Sequence, residues 1–247
     1  MGASVIHHSL NLLVRLVDTT TGTSVEEHNV SFFENGEKVV PMSKGGGNFI
    51  FLNGTRQDKM LTVKVHGYLD CELSIHYDEL DSTIPTKEAF LIPTDEVRTG
   101  ESILRLTGNL KGISAIEAVC ISQTSCCISE FDTRKHIMKL FRSQHRLNME
   151  SIFYGLIHKE SSSYESFEVV EEVSEDSVKT KKPLEEEFSV NSPISRIVFG
   201  HTDSDGRYEL AVRDNAATLE YLVKYTVNDA VKFQVVDFHQ PLENILK

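Results

Sequence analysis

Apolar side chains at every second position, in short runs separated by turn residues, constrain this chain more than any other feature. Between residues 10 and 95, Leu61, Val63 and Val65 form one such run, and polar neighbours alternate with them. Asn35 and Gly36 lie between two further runs, and Asn-Gly is the strongest short-range signal for a β-hairpin. A period of two marks strands with one buried face, and turns about every ten residues are typical of a β-sandwich.

The second half of the chain has the same strand density. Its last two strands flank Asn228 and Asp229 and predict a long hairpin. Between the halves, residues 93–100 are polar and include a proline and a glycine, which favours a domain boundary near Thr99. We therefore predict an all-β protein of two consecutive β-sandwich-like domains with at most one short helix. The predicted domains are residues 1–96 and residues 100–247.

One stretch, residues 131–149, has a helical spacing. Ile137, Leu140 and Phe141 follow the spacing i, i+3, i+4, and an Asp and a Thr just before them are suitable N-cap residues. This pattern predicts one short helix or helical turn.

A second exception is residues 160–187, which are rich in Ser and Glu and poor in apolar residues. Such a segment buries too little apolar surface to hold itself rigid, so we predict a mobile acidic loop in the second domain. Phe167, Val169 and Val170 leave an edge strand open as the alternative.

The first domain resembles a known family. Val17 and Asp18 end one strand, a Thr-Gly pair at Gly22 opens a turn, and Gly67 and Tyr68 end the run of alternating residues. This pattern resembles the transthyretin-like or carboxypeptidase-regulatory-like sandwich over about 80 residues. The resemblance implies the fold and no activity, because this sandwich is an accessory module of many unrelated proteins.

Charge and composition exclude several partner classes. The chain has 37 Asp and Glu against 25 Lys and Arg, for a formal net charge of −12, and it has no Trp. Duplex DNA and anionic membranes both require a basic surface, so neither is expected as the main partner. No apolar run approaches the roughly 18 residues of a membrane span.

The cysteines and the first residues bear on the compartment. Cys71, Cys120, Cys126 and Cys127 do not form the spacing of a secreted disulfide framework, and the start of the chain lacks the basic and apolar regions of a signal peptide. We expect reduced thiols and a product that is cytoplasmic as synthesised. A metal site on three of the cysteines would lack a Cys-x-x-Cys pair, so no metal or cofactor is predicted.

No catalytic signature is present. The glycines at 45–47 precede a strand and not the helix that a phosphate-binding loop requires. Asp203, Asp205 and Gly206 have the spacing of a turn and not that of a calcium loop. Neither Gly-x-Ser-x-Gly nor His-Glu-x-x-His occurs, and the acidic run at 185–187 is typical of a solvated surface. The sequence therefore predicts no enzyme.

The distribution of charge suggests a binding surface. Residues 134–146 contain five basic and no acidic residues, whereas residues 160–187 contain ten acidic residues. Either the two segments pair within one domain or merely solvate its surface, or they give complementarity between copies or with a neighbouring subunit. Nucleic acid is disfavoured by the net charge. The candidate partner-binding residues are Arg134, Lys135, Lys139, Arg142 and Arg146.

These observations favour a non-enzymatic structural or assembly protein. Two β domains in such a chain look like an accessory structural protein of a phage tail or a contractile injection particle, and the chain would be incorporated into the assembled particle. Its partners would be subunits of that assembly or further copies of itself. Two alternatives stay open. One is a carbohydrate- or peptide-binding module, with tyrosines as platforms in place of Trp. The other is an enzyme whose residues meet only in the folded chain. The tyrosines are Tyr68, Tyr77, Tyr154 and Tyr164.

Overall fold

The structure, a computed structural model, contains strands and no helix in the residues it describes. Those residues divide into two compact units, each with its own core. Unit 1 comprises Met1–Asp18 and Ser24–Val97, and unit 2 comprises Thr19–Thr23 and Arg98–Lys247. The predicted domain boundary near Thr99 falls outside the described residues. The structure describes residues 9–25, 29–94, 103–124, 126–141, 153–158, 160–185, 188–214, 216–243 and 245–247.

Unit 1 is built from two four-stranded sheets. The first has the order β4-β5-β1-β8 and the second the order β3-β2-β6-β7. All pairings are antiparallel except β1 with β8, which is parallel. The strands are β1 (Leu10–Asp18), β2 (Val30–Glu34), β3 (Glu37–Val39), β4 (Met42–Gly45), β5 (Asn48–Leu52), β6 (Lys59–Val65), β7 (Cys71–Ile75) and β8 (Thr86–Leu91).

The predicted alternation places the core of unit 1. Every second side chain of β1 and β6 is buried, and these side chains share one hydrophobic cluster with residues of the other strands. Phe32 lies in this cluster, with its ring centroid 5.0 Å from that of Phe49 and 5.4 Å from that of Phe51. The inward faces of both sheets therefore form the core, as expected for a sandwich.

Local turn chemistry agrees with the sequence. Asn35 and Gly36 both have positive φ, 50° and 83°, and they join β2 to β3. Positive φ at both central residues defines the type I′ turn, whose twist matches that of paired strands. The glycines at 45–47 also have positive φ and form the turn between β4 and β5.

Unit 2 contains the remaining twelve strands of the described chain. They are β9 (Ile103–Asn109), β10 (Ile113–Cys120), β11 (Cys126–Asp132), β12 (Ile137–Phe141), β13 (Phe153–His158), β14 (Ser163–Ser174), β15 (Ser177–Thr180), β16 (Pro193–Phe199), β17 (His201–Thr202), β18 (Arg207–Arg213), β19 (Glu220–Val227) and β20 (Ala230–Asp237).

A nine-stranded sheet dominates unit 2, with the order β11-β12-β15-β14-β13-β16-β10-β19-β20. Its first strand, β11, pairs additionally with the start of β16, where Cys127 faces Pro193. Six strands therefore close into a ring around an apolar cluster that includes Tyr154, Phe167 and Met138. The end of β16 pairs instead with β10 and leads the sheet out of the ring into β10, β19 and β20.

The two faces of β10, β19 and β20 belong to different cores. One face shares a cluster with β18 and β9, which pair with each other in the three-stranded sheet β17-β18-β9. The opposite face carries Val119, Leu222 and Phe233, which pack with Ile157 and Tyr164 from β13 and β14. The sheet therefore bends back until β14 lies over β19 and β20.

The predicted helix within residues 131–149 is wrong in its described part. Ile137–Phe141 forms strand β12, in which Met138 and Leu140 point into the ring and Ile137 is only partly buried. These five residues are compatible with the helical period as well as with the period of two of a strand. Pairing with β11 and β15 makes them a strand. The remainder of the predicted helix, residues 142–149, lies outside the described residues.

The prediction of a loop at residues 160–187 is also wrong for most of the segment. β14 and β15 form a hairpin within the sheet, and Phe167, Val169 and Val178 are buried in the ring. Acidic side chains occupy the exposed positions between them. The edge-strand alternative was closer, but β14 is interior to the sheet and twelve residues long.

The described residues include no helix long and apolar enough to span a bilayer.

Phe32 and its neighbour Phe33 provide a test of the unit 1 core. Phe32 is 1% exposed, whereas Phe33, on the other face of β2, is only partly buried. We expect Phe32→Ala to lower the free energy of unfolding of unit 1 by about 3–5 kcal/mol, because it removes a buried aromatic side chain and leaves a cavity. Phe33→Ala, the matched control, should cost about 1 kcal/mol or less. Chemical denaturation followed by circular dichroism measures both, and equal losses would contradict the assigned faces of β2.

Candidate functional site

A groove of about 750 Å³ lies where β14 crosses over β19 and β20 in unit 2. We call it the aromatic groove. Eight of its sixteen lining residues are apolar or aromatic and eight are charged or polar, so it offers both kinds of contact to a ligand. The residues that line it are Glu117, Phe153, Tyr164, Glu165, Ser166, Phe167, Glu168, Lys181, Lys182, Pro183, Glu185, Ile197, Phe199, Lys224, Val231 and Phe233.

Close packing between strands distant in sequence creates the groove. The rings of Tyr164 on β14 and Phe233 on β20 meet edge to face, with centroids 5.6 Å apart. Gly155 on β13 makes this approach possible, because a Cβ there would lie 2.6 Å from Val119 Cγ1 and 2.8 Å from Tyr164 Cδ2. Any side chain at position 155 would push the Tyr164 ring out of place.

Three polar side chains from three strands meet at the groove. Lys224 Nζ lies 3.0 Å from Glu117 Oε1 and donates to Ser166 Oγ at 3.3 Å. The Ser166 hydroxyl donates to the same Glu117 oxygen at 2.8 Å. The ammonium of Lys224 also lies 5.5 Å from the centroid of the Tyr164 ring. The lysine is therefore held on all sides by a carboxylate, a hydroxyl and an aromatic face.

The hydroxyl of Tyr164 is buried beside this network. Its oxygen makes no hydrogen bond of normal geometry with the described residues. Burial raises the pKa of Tyr164 well above its ordinary value, and the negative charge of Glu117 raises it further. The phenol therefore stays protonated at any physiological pH and is not a general base.

The rim of the groove is charged. Lys181 Nζ pairs with Glu168 at 2.7 Å, and the amide of Glu185 donates to Glu165 Oε1 at 2.6 Å. These contacts tie the segment after β15 to β14.

β20 forms one side of the groove and the end of the nine-stranded sheet. Among the described residues it pairs with β19 and with no other strand. Val231 and Phe233 line the groove, and Val235 continues their row along the strand. Val231 is 54% exposed and Val235 is 51% exposed. The chain thus presents an apolar row on a strand edge.

Of the basic residues proposed from the sequence, the three that the structure describes, Arg134, Lys135 and Lys139, do not line the groove. Lys139 lies opposite Glu130 in the β11–β12 pair and forms an ion pair with it at 2.6 Å, which raises the pKa of Lys139. Lys135 Nζ lies 4.0 Å from Asp132 Oδ2. The carboxylates of β11 thus face the basic residues, and β15 of the acidic hairpin pairs with β12 beside them. Arg134 lies in the turn before β12, and Arg142 and Arg146 lie outside the described residues.

The four tyrosines proposed as platforms are divided between the two units. Tyr154 is fully buried inside the ring and Tyr164 is buried at the groove. Tyr68 donates to Asp18 Oδ2 at 3.1 Å and Tyr77 donates to Asn11 Oδ1 at 2.8 Å, both within unit 1.

The four cysteines form no disulfide with one another, and Cys126 is buried. In the part of the chain that the structure describes, no three His, Cys, Asp or Glu side chains lie close enough to hold a metal ion.

Sequence reasoning missed the polar cluster, because its three members are more than forty residues apart in the chain. The sequence does contain one relevant signal: Tyr164 and Ser166 are two residues apart, as are Val231 and Phe233. Each pair predicts a shared face, but neither predicts which strand that face meets.

No protein-family model matches the chain, and a search of curated proteins returns no match. The function is therefore argued from the geometry of the site.

Removal of the Tyr164 hydroxyl tests its lack of a hydrogen-bond partner. We expect Tyr164→Phe to leave the free energy of unfolding unchanged or to raise it by about 1 kcal/mol, because an unpaired buried hydroxyl is costly. Tyr208→Phe is the control, since Tyr208 is as buried a residue as Tyr164 and its hydroxyl accepts the Leu246 amide at 3.4 Å. That variant should lose about 1 kcal/mol. Denaturant titration decides, and a clear loss in Tyr164→Phe would mean that its hydroxyl is bonded.

Cys71 should be a slow nucleophile. Burial, and to a lesser extent the charge of Glu72, raises the pKa of Cys71 to about 11. Since the thiolate is the reactive form, alkylation of Cys71 by iodoacetamide at neutral pH should be far slower than that of a free thiol and should speed up towards pH 11. Mass spectrometry of the labelled peptides measures the rate. A plateau near pH 8 would contradict the raised pKa.

Proposed function

We propose that the protein is a non-enzymatic assembly protein that binds neighbouring protein subunits through unit 2. The observation that carries this proposal is the apolar edge of β20 beside the aromatic groove. A strand edge binds an extended protein segment through its main-chain groups, and an adjacent apolar groove accepts alternate side chains of that segment.

β20 lies at the end of the sheet, and its side chains on the groove face are also exposed. Val231 and Val235 are more than half exposed, and Phe233 between them is only partly buried. Covering this row with a partner strand would remove apolar surface from water, which favours association. The occupant that fits is an extended segment of protein with apolar residues at every second position.

The polar cluster supports binding over catalysis. A serine hydrolase of the Ser-Lys type needs a neutral lysine that takes the proton of the hydroxyl. Here Lys224 is ion-paired with Glu117, and the Ser166 proton is directed at that carboxylate. Lys224 therefore donates to Glu117 and Ser166 in this arrangement, and the network joins three strands under the groove.

The enzyme alternative keeps one favourable observation, the 3.3 Å distance between Ser166 Oγ and Lys224 Nζ. A carbohydrate module finds less support, because the tyrosines suggested for it are buried or hydrogen-bonded within unit 1 or unit 2.

The narrower identity is also a proposal. We propose that unit 1 is a transthyretin-like sandwich, and two observations support it. The hydrogen bond from Tyr68 to Asp18 joins two residues that carry the resemblance, and two four-stranded sheets enclose one core. Membership of a phage tail or contractile injection particle remains a prediction from the sequence.

The native mass of the full chain tests the proposed function. We expect the protein, co-expressed with the products of the genes that flank its own, to elute from size exclusion as a complex. Val231→Lys should weaken that complex at least tenfold, because it places a charge in the apolar row. Val173→Lys is the matched control, as Val173 is 47% exposed on β14 and away from the groove. The proposal fails if both variants behave alike.

The enzyme alternative is tested in the same preparation. A fluorophosphonate that labels activated serines should leave Ser166 unmodified, as read by mass spectrometry. Stoichiometric labelling that is lost in Lys224→Met would identify a hydrolase instead.

A further inference from the structure

We propose that β20 pairs antiparallel with β20 of a second copy of this chain, with Phe233 on the twofold axis. This inference rests on the proposed function and names the occupant of the edge.

The direction of the main-chain groups of β20 follows from its hairpin. The β19–β20 pairing runs without irregularity from Val227 opposite Ala230 to Glu220 opposite Asp237. Just beyond it, the Phe238 amide donates to the Leu219 carbonyl at 2.9 Å. In an antiparallel pair the hydrogen-bonded residues alternate along each strand. Even-numbered residues of β20 therefore point their main-chain groups at β19, and odd-numbered residues point theirs outward.

The outward main-chain groups of three odd-numbered residues are available to pair with another strand. No described residue donates to or accepts from the main chain of Val231, Phe233 or Val235 outside the β19 pairing. The next odd residue, Asp237, differs, because its carbonyl accepts the Gln240 amide at 3.2 Å. The turn residue Asp229 precedes the strand at the other end. The available edge is thus bounded on both sides.

This bounded edge is symmetric about its centre. Val231 and Val235 flank Phe233 at equal distance, so the row reads the same from either end. In an antiparallel pair of two copies, Val231 faces Val235 of the second copy and Phe233 faces Phe233. Every outward donor then meets an outward acceptor, which gives six hydrogen bonds by the alternation rule. A shift of the pairing by two residues towards the C-terminus would require the Asp237 carbonyl that Gln240 already holds.

Charge on the strand is compatible with self-pairing. In this register Lys232 faces Gln234 of the second copy, and no two like charges lie directly opposite within the paired segment. Just beyond the segment Asp237 comes opposite the turn residue Asp229 of the second copy, so a like-charge pair limits the pairing at each end. The formal net charge of −12 is therefore carried elsewhere on the chain, and its repulsion acts at longer range. Added salt screens that repulsion, so association should strengthen as salt rises.

The size of the contact predicts a weak dimer. Five paired residues extend about 17 Å along a sheet edge about 10 Å thick, which buries well under the roughly 800 Å² per partner of a standard interface. The dissociation constant is then expected in the micromolar range or above. Twofold symmetry about an axis normal to the sheet places both aromatic grooves on the same face of the joined sheet, where one partner would reach both.

Sedimentation velocity of the purified full chain, from about 1 μM to about 1 mM, tests the pairing. We expect a monomer that converts to a dimer with rising concentration and with rising salt. Val235→Lys should abolish the dimer, and Val235 does not line the groove. Val170→Lys is the matched control, since Val170 is 49% exposed on β14. A monomer at every concentration overturns the proposal, as does a dimer that Val235→Lys leaves intact.

Amide hydrogen exchange resolves the register. The amides of Val231, Phe233 and Val235 should exchange rapidly in dilute protein and become at least tenfold slower at dimeric concentrations. Those of Lys232 and Gln234, which bond to β19, should be slow in both. Equal exchange of the odd-numbered amides at all concentrations would show that any dimer uses another surface.

Failure of this proposal is distinguishable from failure of the proposed function. The chain could stay monomeric and still form a complex with a flanking gene product that Val231→Lys weakens. That result would support the proposed function and show that this partner, not a second copy, binds the edge of β20. If the chain dimerises through β20 but binds no flanking gene product, the self-pairing proposal stands and the proposed assembly function fails.

Discussion

β16 pairs along one edge with two different strands, with β11 where it begins and with β10 where it ends. A strand has only two edges, and the other edge of β16 is occupied by β13. The sheet must therefore divide at this strand. One branch closes into the six-stranded ring, and the other continues through β10 and β19 to β20.

This division determines the shape of the aromatic groove. Because β13 and β14 remain in the ring while β10, β19 and β20 leave it, the outer face of the ring meets a face of the outgoing strands. Val119, Leu222 and Ile157 fill the space between them. Gly155 lets the Tyr164 ring approach, since a Cβ there would collide with it. The groove is what remains open at the margin of this contact.

The charged groups at the groove obey the cost of burying charge. A partly buried ammonium is tolerated when a carboxylate and further hydrogen bonds satisfy it. Lys224 meets that condition through Glu117 and Ser166, and the three residues lie on three different strands. The same contacts also engage the Ser166 hydroxyl and the Glu117 carboxylate, so each polar group of the cluster has a partner.

Edges of sheets must otherwise be protected against association. In unit 1, β4 is short, and its pairing with β5 slips between Ser43 and Gly45. β20 has no such irregularity, no proline, and a single lysine among its exposed residues. An apolar row on an unprotected edge exposes hydrophobic surface to water and invites association with another strand.

The sequence alone determined the strands with one buried face and the turns with positive φ. Leu61, Val63 and Val65 are buried as their alternation requires, and Asn228 and Asp229 adopt the predicted hairpin turn. Both signals are local, because the period of a strand and the φ of a turn residue depend on neighbours in the chain. Strand partners were decided only in the tertiary structure. Met138 lies in a strand because β11 and β15 pair on either side of it, and the acidic hairpin is held by the Phe167 and Val178 side chains inside the ring. The groove depends on the same long-range pairing, since Glu117, Ser166 and Lys224 meet only after the sheet has divided and bent back.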